Sequence, residues 1–193
     1  MTTVLLTGFE PFGTATSNPS GEIVKQISGD NIVTAILPVA YAGSAERLLE
    51  LIAEHNPDVV ICLGQAEGRT QITPEKVAIN LDDARLADNE CVLRNDVKIL
   101  EDGSDAYFTT LPINKMVEAI KAKGVPAAVS LSAGAFLCNH VFYVAQNKFV
   151  GTKVRSGFVH VPLMDSQAPE FPGLPTMPLD QMVTAVRAML EVL

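Results

Sequence analysis

The sequence has no tryptophan, only three cysteines and three histidines, and 14 basic residues against 22 acidic ones in a chain of 193. The cysteines, Cys62, Cys91 and Cys138, are odd in number and show no C-x-x-C spacing, which argues against both a disulfide framework and a zinc site. Any cysteine chemistry is therefore thiol chemistry. A net charge of −8 works against a phosphate-reading surface, so nucleic acid is not an expected partner. Met1-Thr2-Thr3-Val4-Leu5-Leu6-Thr7-Gly8 lacks the basic region and the long apolar stretch of a signal peptide, and reads as a strand of a cytoplasmic protein. No formal charge occurs between Lys123 and Lys148, but Pro126, Gly134, Asn139 and His140 interrupt that stretch, which reads as buried core and not as a membrane span.

Hydrophobic residues make up 48% of the chain and charged residues 19%, enough to fold one domain over residues 1–193 without staples. Val4 to Thr7, Ile32 to Leu37 and Val59 to Leu63 are short apolar runs of the kind buried on both sheet faces. Between the last two, Ser44 is placed to cap a helix with Leu48, Leu49 and Ile52 on one face, ending near His55-Asn56-Pro57. Pro112 opens a second helix carrying Ile113, Met116, Val117 and Ile120, and Gly124 and Pro126 end it. Ala127 to Leu131 then reads as a buried strand, Phe136 to Gln146 as a helix and Gly157 to Val161 as a strand. From Leu179 a closing amphipathic helix places Met182, Val186, Met189, Leu190 and Leu193 together. Thr73 to Leu81 predicts an additional strand, Asp82 to Ser104 an irregular polar connection, and the prolines from Pro169 to Pro178 forbid regular helix. Alternation of strand and helix predicts an α/β domain whose mainly parallel sheet is covered on both sides.

Gly8-Phe9-Glu10-Pro11-Phe12-Gly13 follows the first strand but lacks the Lys-Ser/Thr of a phosphate loop, and Pro11 removes a backbone donor. Phe9 and Phe12 form either an apolar binding wall or a plug over the core. In Asn18-Pro19-Ser20 the middle proline excludes glycosylation, and Ser20 is expected to cap the next helix. Cys138 falls in the first turn of its helix, where the dipole lowers a thiol's pKa and free N–H groups can hold an oxyanion. Its alternative is a small buried apolar residue. A nucleophilic cysteine needs a base within reach. His140 lies two positions along the same helix, about 200° away at 100° per residue, and His55 sits at a helix end. His160 remains, on a strand between Val159 and Val161, as base or as a core histidine bonded to a carbonyl. Glu75, after Pro74, is placed to orient an imidazole or to stand exposed at a strand end. The acidic run of Asp82, Asp83, Asp88 and Glu90 has no nearby histidine and no calcium-loop spacing, so no metal is expected.

Taken together, these motifs resemble the pyroglutamyl peptidase I family of cysteine exopeptidases. The resemblance runs through Leu5 to Gly13, Asn18-Pro19-Ser20, Gly64-Gln65-Ala66, Gly68-Arg69, Ile72 to Glu75, Asp83-Ala84-Arg85, Ala133-Gly134, Phe136, Cys138-Asn139-His140, Phe142-Tyr143, and Gly157 to Pro162 with Gln167. It implies a three-layer α/β/α sandwich of the phosphorylase/hydrolase-like kind. It implies Cys138 as nucleophile, His160 as acid/base and Glu75 as the residue orienting it, with the Cys138 N–H and Arg85 serving the oxyanion. Phe9, Phe12 and Phe136 become the apolar walls of a lactam pocket, and Asn18 and Gln65 its polar contributors. The implied substrates are peptides with an N-terminal pyroglutamate, with no cofactor and with dimers or tetramers as the assembly. Lys76 and Ala135 depart from the arginine and threonine usual at those positions, and neither change removes a catalytic atom. A nucleoside phosphorylase or hydrolase on the same fold, and a lactam-binding protein without efficient chemistry, are the competing readings.

Overall fold

A computed structural model describes residues 2–193. In chain order the elements are β1 (Val4–Phe9), α1 (Pro19–Val24), β2 (Ile32–Leu37), α2 (Tyr41–His55), β3 (Val59–Gln65), β4 (Thr73–Pro74), β5 (Val77–Ile79) and β6 (Ala106–Phe108). There follow α3 (Ile113–Ala122), α4 (Leu137–Lys148), β7 (Arg155–Val161), β8 (Leu163–Met164), β9 (Thr176–Met177) and α5 (Leu179–Leu190). The main sheet has the order β2-β1-β3-β7-β4 and is parallel except for the short edge strand β4. Two-stranded pairs β5-β6 and β8-β9 flank it.

Successive side chains on a strand point to opposite faces, and here that period sorts the core into two halves. Val4 and Leu6, Val59, Ile61 and Leu63, and Val159 and Val161 turn toward α1, α3 and α5, where Ile23, Met116, Ile120, Met182 and Val186 are buried. Leu5, Val60, Cys62 and Phe158 turn toward α2 and α4, where Leu48, Ile52, Val141 and Phe142 are buried. The result is the expected three-layer α/β/α sandwich. Every residue of β1 and β3 is buried, which is why neither run alternates with polar residues. By the same parity His160 shares the Phe158 face and looks into the α2/α4 layer. Among the described residues no helix is long and apolar enough to cross a membrane, and no group of three or more His, Cys, Asp or Glu is placed to hold a metal ion.

Four local expectations are corrected. Helix α2 begins at Tyr41, not at Ser44: its N-cap Ala40 has no capping side chain, and Asp88 reaches in from a distant loop to accept the Tyr41 N–H at 2.9 Å. Ser44 lies inside that helix and bonds back to the Tyr41 carbonyl. Asn18, not Ser20, caps α1, accepting the Ser20 N–H at 3.1 Å. The Ser20 hydroxyl donates to Asn18 Oδ1 at 2.8 Å and accepts the Phe9 N–H at 3.0 Å, tying the end of β1 to the helix. Thr73 to Leu81 splits into β4 and β5 because the chain changes partner after Glu75, from β7 to β6. Ala127 to Leu131 is not a regular strand of the sheet: it lies parallel to residues 72–76, bridged at Ile72↔Ala127 and Glu75↔Ser130 with the Pro74 N–H missing between them, and Leu131 is 74% exposed.

Candidate active site

Small residues lead into α4, and Gly134 takes a φ of 76°, which suits glycine at the bend. Phe136 caps the helix in extended conformation, so the first intrahelical bond is from the His140 N–H to the Phe136 carbonyl at 3.0 Å. The N–H groups of Leu137, Cys138 and Asn139 precede it and belong to the electropositive end of the helix. Asn139 fixes that end: its Oδ1 accepts the Ile79 N–H at 2.9 Å, and its Nδ2 donates to the Ile79 and Leu81 carbonyls at 2.9 and 3.0 Å. Cys138 is left half-buried at the cleft while Asn139 is buried.

The Cys138 sulfur lies against the end of β3. A Cβ on Gly64 would stand 2.9 Å from it and 2.6 Å from the Phe158 ring, so only glycine admits the thiol there. Across the sheet, Gly64 pairs directly with His160. His160 Nδ1 meets Glu75 Oε1 at 2.7 Å, and Glu75 is fully buried, not exposed at a strand end. That contact assigns the Nδ1 proton to the carboxylate bond and leaves Nε2 as the ring nitrogen available for chemistry. Burial holds the His160 pKa below its ordinary value, outweighing the upward pull of Glu75. Burial, with Glu75 adding to it, pushes the Cys138 thiol up to about 12. The lowering expected from the helix end is thus overridden, because low-dielectric surroundings and a nearby carboxylate both disfavour the thiolate. Both shifts favour the uncharged forms, thiol and imidazole.

Beside Cys138 a small cleft is lined by Phe9, Phe12, Asn18, Val39, Gln65, Phe136 and Leu137. Phe12 and Phe136 have centroids 6.4 Å apart, and Phe136 meets the edge of Tyr41 at 5.8 Å. Met164 N–H donates to Gln167 Oε1 at 2.9 Å, which orients Gln167 so that its Nε2 donates to Gln65 Oε1 at 3.0 Å. That chain fixes the Gln65 amide as well, and leaves Gln65 Nε2 buried without a partner. Asn18 spends its polar atoms on the loop instead, with Nδ2 donating to the Glu10 carbonyl at 3.0 Å and Oδ1 serving Ser20.

Cys138, His160, Glu75, Phe9, Phe12, Phe136, Gln65 and Asn18 therefore converge on one end of the sheet. Arg85 does not line the cleft; it is exposed on a loop whose Asp83 N–H bonds the Ala135 carbonyl at 2.8 Å, beside the start of α4. His140 turns away from Cys138 and holds Asp82 through Nδ1 at 2.9 Å. Cys62 is fully buried, its thiol pushed up to about 12 by desolvation, and Cys91 is exposed. Of the acidic run, Asp82 and Asp88 are buried and committed to protein partners, while Asp83 and Glu90 are exposed. Arg69 was not singled out for a role by sequence reasoning. It joins the site because Glu75 is buried, and a buried carboxylate calls for a cation.

The family model described as Pyroglutamyl peptidase matches residues 2–193. Pyrrolidone-carboxylate peptidase of Bacillus cytotoxicus is 42% identical, over 100% of this chain and 93% of that protein. The enzyme of the same name from Aliivibrio fischeri is 47% identical, over 94% and 87%. Among solved structures, pyroglutamyl peptidase I from Bacillus amyloliquefaciens superposes with a TM-score of 0.94 at 44% identity, covering 97% of this chain and 92% of its own. A variant pyrrolidone carboxyl peptidase from Pyrococcus furiosus gives 0.93 at 36% identity, covering 98% and 97%.

Proposed function

The chain belongs to the pyroglutamyl peptidase family, and from that premise we propose that it removes N-terminal pyroglutamate from peptides by hydrolysis, with Cys138 as nucleophile, His160 as acid/base and Glu75 orienting the imidazole. The observation that carries this reading is the Cys138 sulfur seated over Gly64, whose cross-strand neighbour His160 is tied by Nδ1 to buried Glu75.

Because thiol and imidazole rest neutral, the thiol proton passes to His160 Nε2 as sulfur attacks the exocyclic carbonyl of the pyroglutamyl residue. The oxyanion is received by the N–H groups at the start of α4, that of Cys138 first, with Arg85 adding charge from the adjoining loop. The imidazolium then protonates the departing amine, which leaves as the shortened peptide. Water, deprotonated by His160, attacks the thioester; free pyroglutamate departs and the thiol recovers its proton. Phe9, Phe12 and Phe136 enclose the lactam ring, and Gln65 Nε2 donates to the ring carbonyl. A proline-headed peptide leaves that donor unpaired, and a buried donor without a partner discriminates more sharply than a shape mismatch does. Asn18 contributes by holding the loop between β1 and α1.

The chain acts as one domain in the cytoplasm, where reducing conditions keep its thiols free, and assembles as a dimer or tetramer; sedimentation tests the assembly. Activity is tested with a pyroglutamyl-amide reporter, where Cys138→Ala with Cys62 and Cys91 intact abolishes turnover. Persistent turnover in that variant overturns the assignment. Binding of pyroglutamate by the wild type without turnover instead identifies a binding protein.

A further inference from the structure

We propose that Arg69 is a positioning residue of the catalytic group, holding Glu75 as the anionic partner of His160 so that the imidazole stays neutral and able to accept the Cys138 proton. This rests on the functional reading above and adds a fourth member to it. Arg69 Nη1 stands 2.9 Å from Glu75 Oε1, the same oxygen that meets His160 Nδ1 at 2.7 Å. Nη1 also bonds the Thr73 hydroxyl, and Nη2 donates to the Ser132 carbonyl at 3.1 Å. One guanidinium thus spans β4, the carboxylate and the segment that leads into α4. Nη1 and Nη2 both face protein acceptors, and Arg69 does not line the cleft, so its action is assigned to Glu75 and not to substrate.

The chemistry follows from the shared oxygen. Glu75 is fully buried and its Oε2 has no partner, so Oε1 carries both contacts. With Arg69 in place the carboxylate is balanced by a permanent cation. Without it the remaining source of balancing charge at that oxygen is a proton on His160, and an imidazolium cannot act as the base. The charged and titratable groups facing the pair are Arg69, Cys138 and, behind the thiol, Cys62. Lys76, next in sequence to Glu75, turns away and lies 5.7 Å over the Phe108 ring. The downward influence of Arg69 on both His160 and Cys138 agrees with this arrangement.

The test compares wild type, Arg69→Gln and Arg69→Lys by nitrogen-15 NMR of the histidine rings against pH, alongside the pH profile of kcat/KM on the pyroglutamyl-amide reporter. With three histidines in the chain, His55 and His140 serve as internal references. Arg69→Gln should raise the His160 midpoint and the acidic limb by about one pH unit, roughly a tenfold loss of activity below the limb. Arg69→Lys, which keeps the charge and gives up the fork, should return both most of the way to wild type. A folded Arg69→Gln whose His160 midpoint equals that of wild type overturns the proposal. If Arg69→Gln does not fold, Arg69→Lys decides: a midpoint raised by well under one pH unit supports the charge role, and a rise of a full unit, or none at all, overturns it. The ring titration needs no substrate, so a wild type that fails to cleave the reporter defeats the functional reading and leaves this one readable.

Discussion

Two histidine–carboxylate–arginine chains lie a short distance apart in this molecule, and they differ in what the far side of the imidazole faces. His160, Glu75 and Arg69 form one; His140, Asp82 and Arg94 form the other. In both the carboxylate is fully buried, the imidazole binds it through Nδ1 at 2.7 or 2.9 Å, and the guanidinium is 25% or 29% exposed. His140 packs against the Tyr41 ring, centroids 5.5 Å apart, and that ring also receives Arg94 at 4.5 Å. His160 instead sits across from Gly64, where the absence of a side chain leaves room for the Cys138 sulfur. Nearly the same hydrogen-bonded motif thus clamps the base of the 82–97 loop in one place and, on the proposed mechanism, orients the base in the other. A buried His–carboxylate pair is not in itself a sign of catalysis; the open nitrogen opposite a nucleophile is.

The sharpest break of this comparison is to remove each imidazole in turn. His160→Ala should lower kcat/KM by about a thousandfold, within the range of general acid–base catalysis, while leaving the fold intact by circular dichroism. His140→Ala should change kcat/KM by less than about tenfold and lower the melting temperature instead. Equal losses of activity in the two variants would erase the distinction. Gly64→Ala tests the space rather than the bases, since the added carbon must displace either the sulfur or the Phe158 ring. Displacing the nucleophile by the better part of an ångström should cost roughly a hundredfold in kcat, with substrate affinity little changed.

On the stability side, Asp82→Asn should cost about 2 kcal/mol, read as a shift in urea midpoint, because the amide keeps one acceptor oxygen but removes the charge that balances Arg94 and puts a donor in place of the second oxygen. The smallest effect concerns pH. Burial keeps His160 harder to protonate in the folded chain than in the unfolded one, so the unfolded state binds the extra proton first. Stability from this source is present above the unfolded value of about 6.5 and is lost as pH falls toward the folded value. Urea midpoints between pH 7 and pH 5 should therefore fall more steeply for wild type than for His160→Gln.

Local sequence was sufficient where the physics was local. β1 and β3 are buried on both faces, so uninterrupted apolar runs identify them, and α5 shows its buried stripe at Met182, Val186 and Met189. Cys138 and His160 could be singled out because so few thiols and imidazoles compete, and because helical angle removes His140. What local reading missed depends on distant partners. The start of α2 is capped by Asp88, 47 residues away, which no pattern around Ser44 reveals. Thr73 to Leu81 changes partner midway, from β7 to β6, and the Ala127–Leu131 run pairs with residues 72–76 through a ladder in which Pro74 leaves one bond unmade, neither of which shows in the local pattern. The thiol's upward shift follows from burial and, after it, from Glu75, neither visible from a helix end alone. Arg69 was visible as a letter, but its role exists only because the chain after β3 folds back to place it against Glu75.

The Gln65 Nε2 left over by the protein has a consequence for how ligands are told apart. A donor that no protein group meets is worth on the order of 1–3 kcal/mol to an acceptor that reaches it, and on the proposed mechanism the ring carbonyl of the lactam is that acceptor. On that mechanism selectivity for the lactam rests on one unshared amide donor, and thermal shift reads it directly: pyroglutamate should raise the melting temperature where proline, equal in ring size, does not.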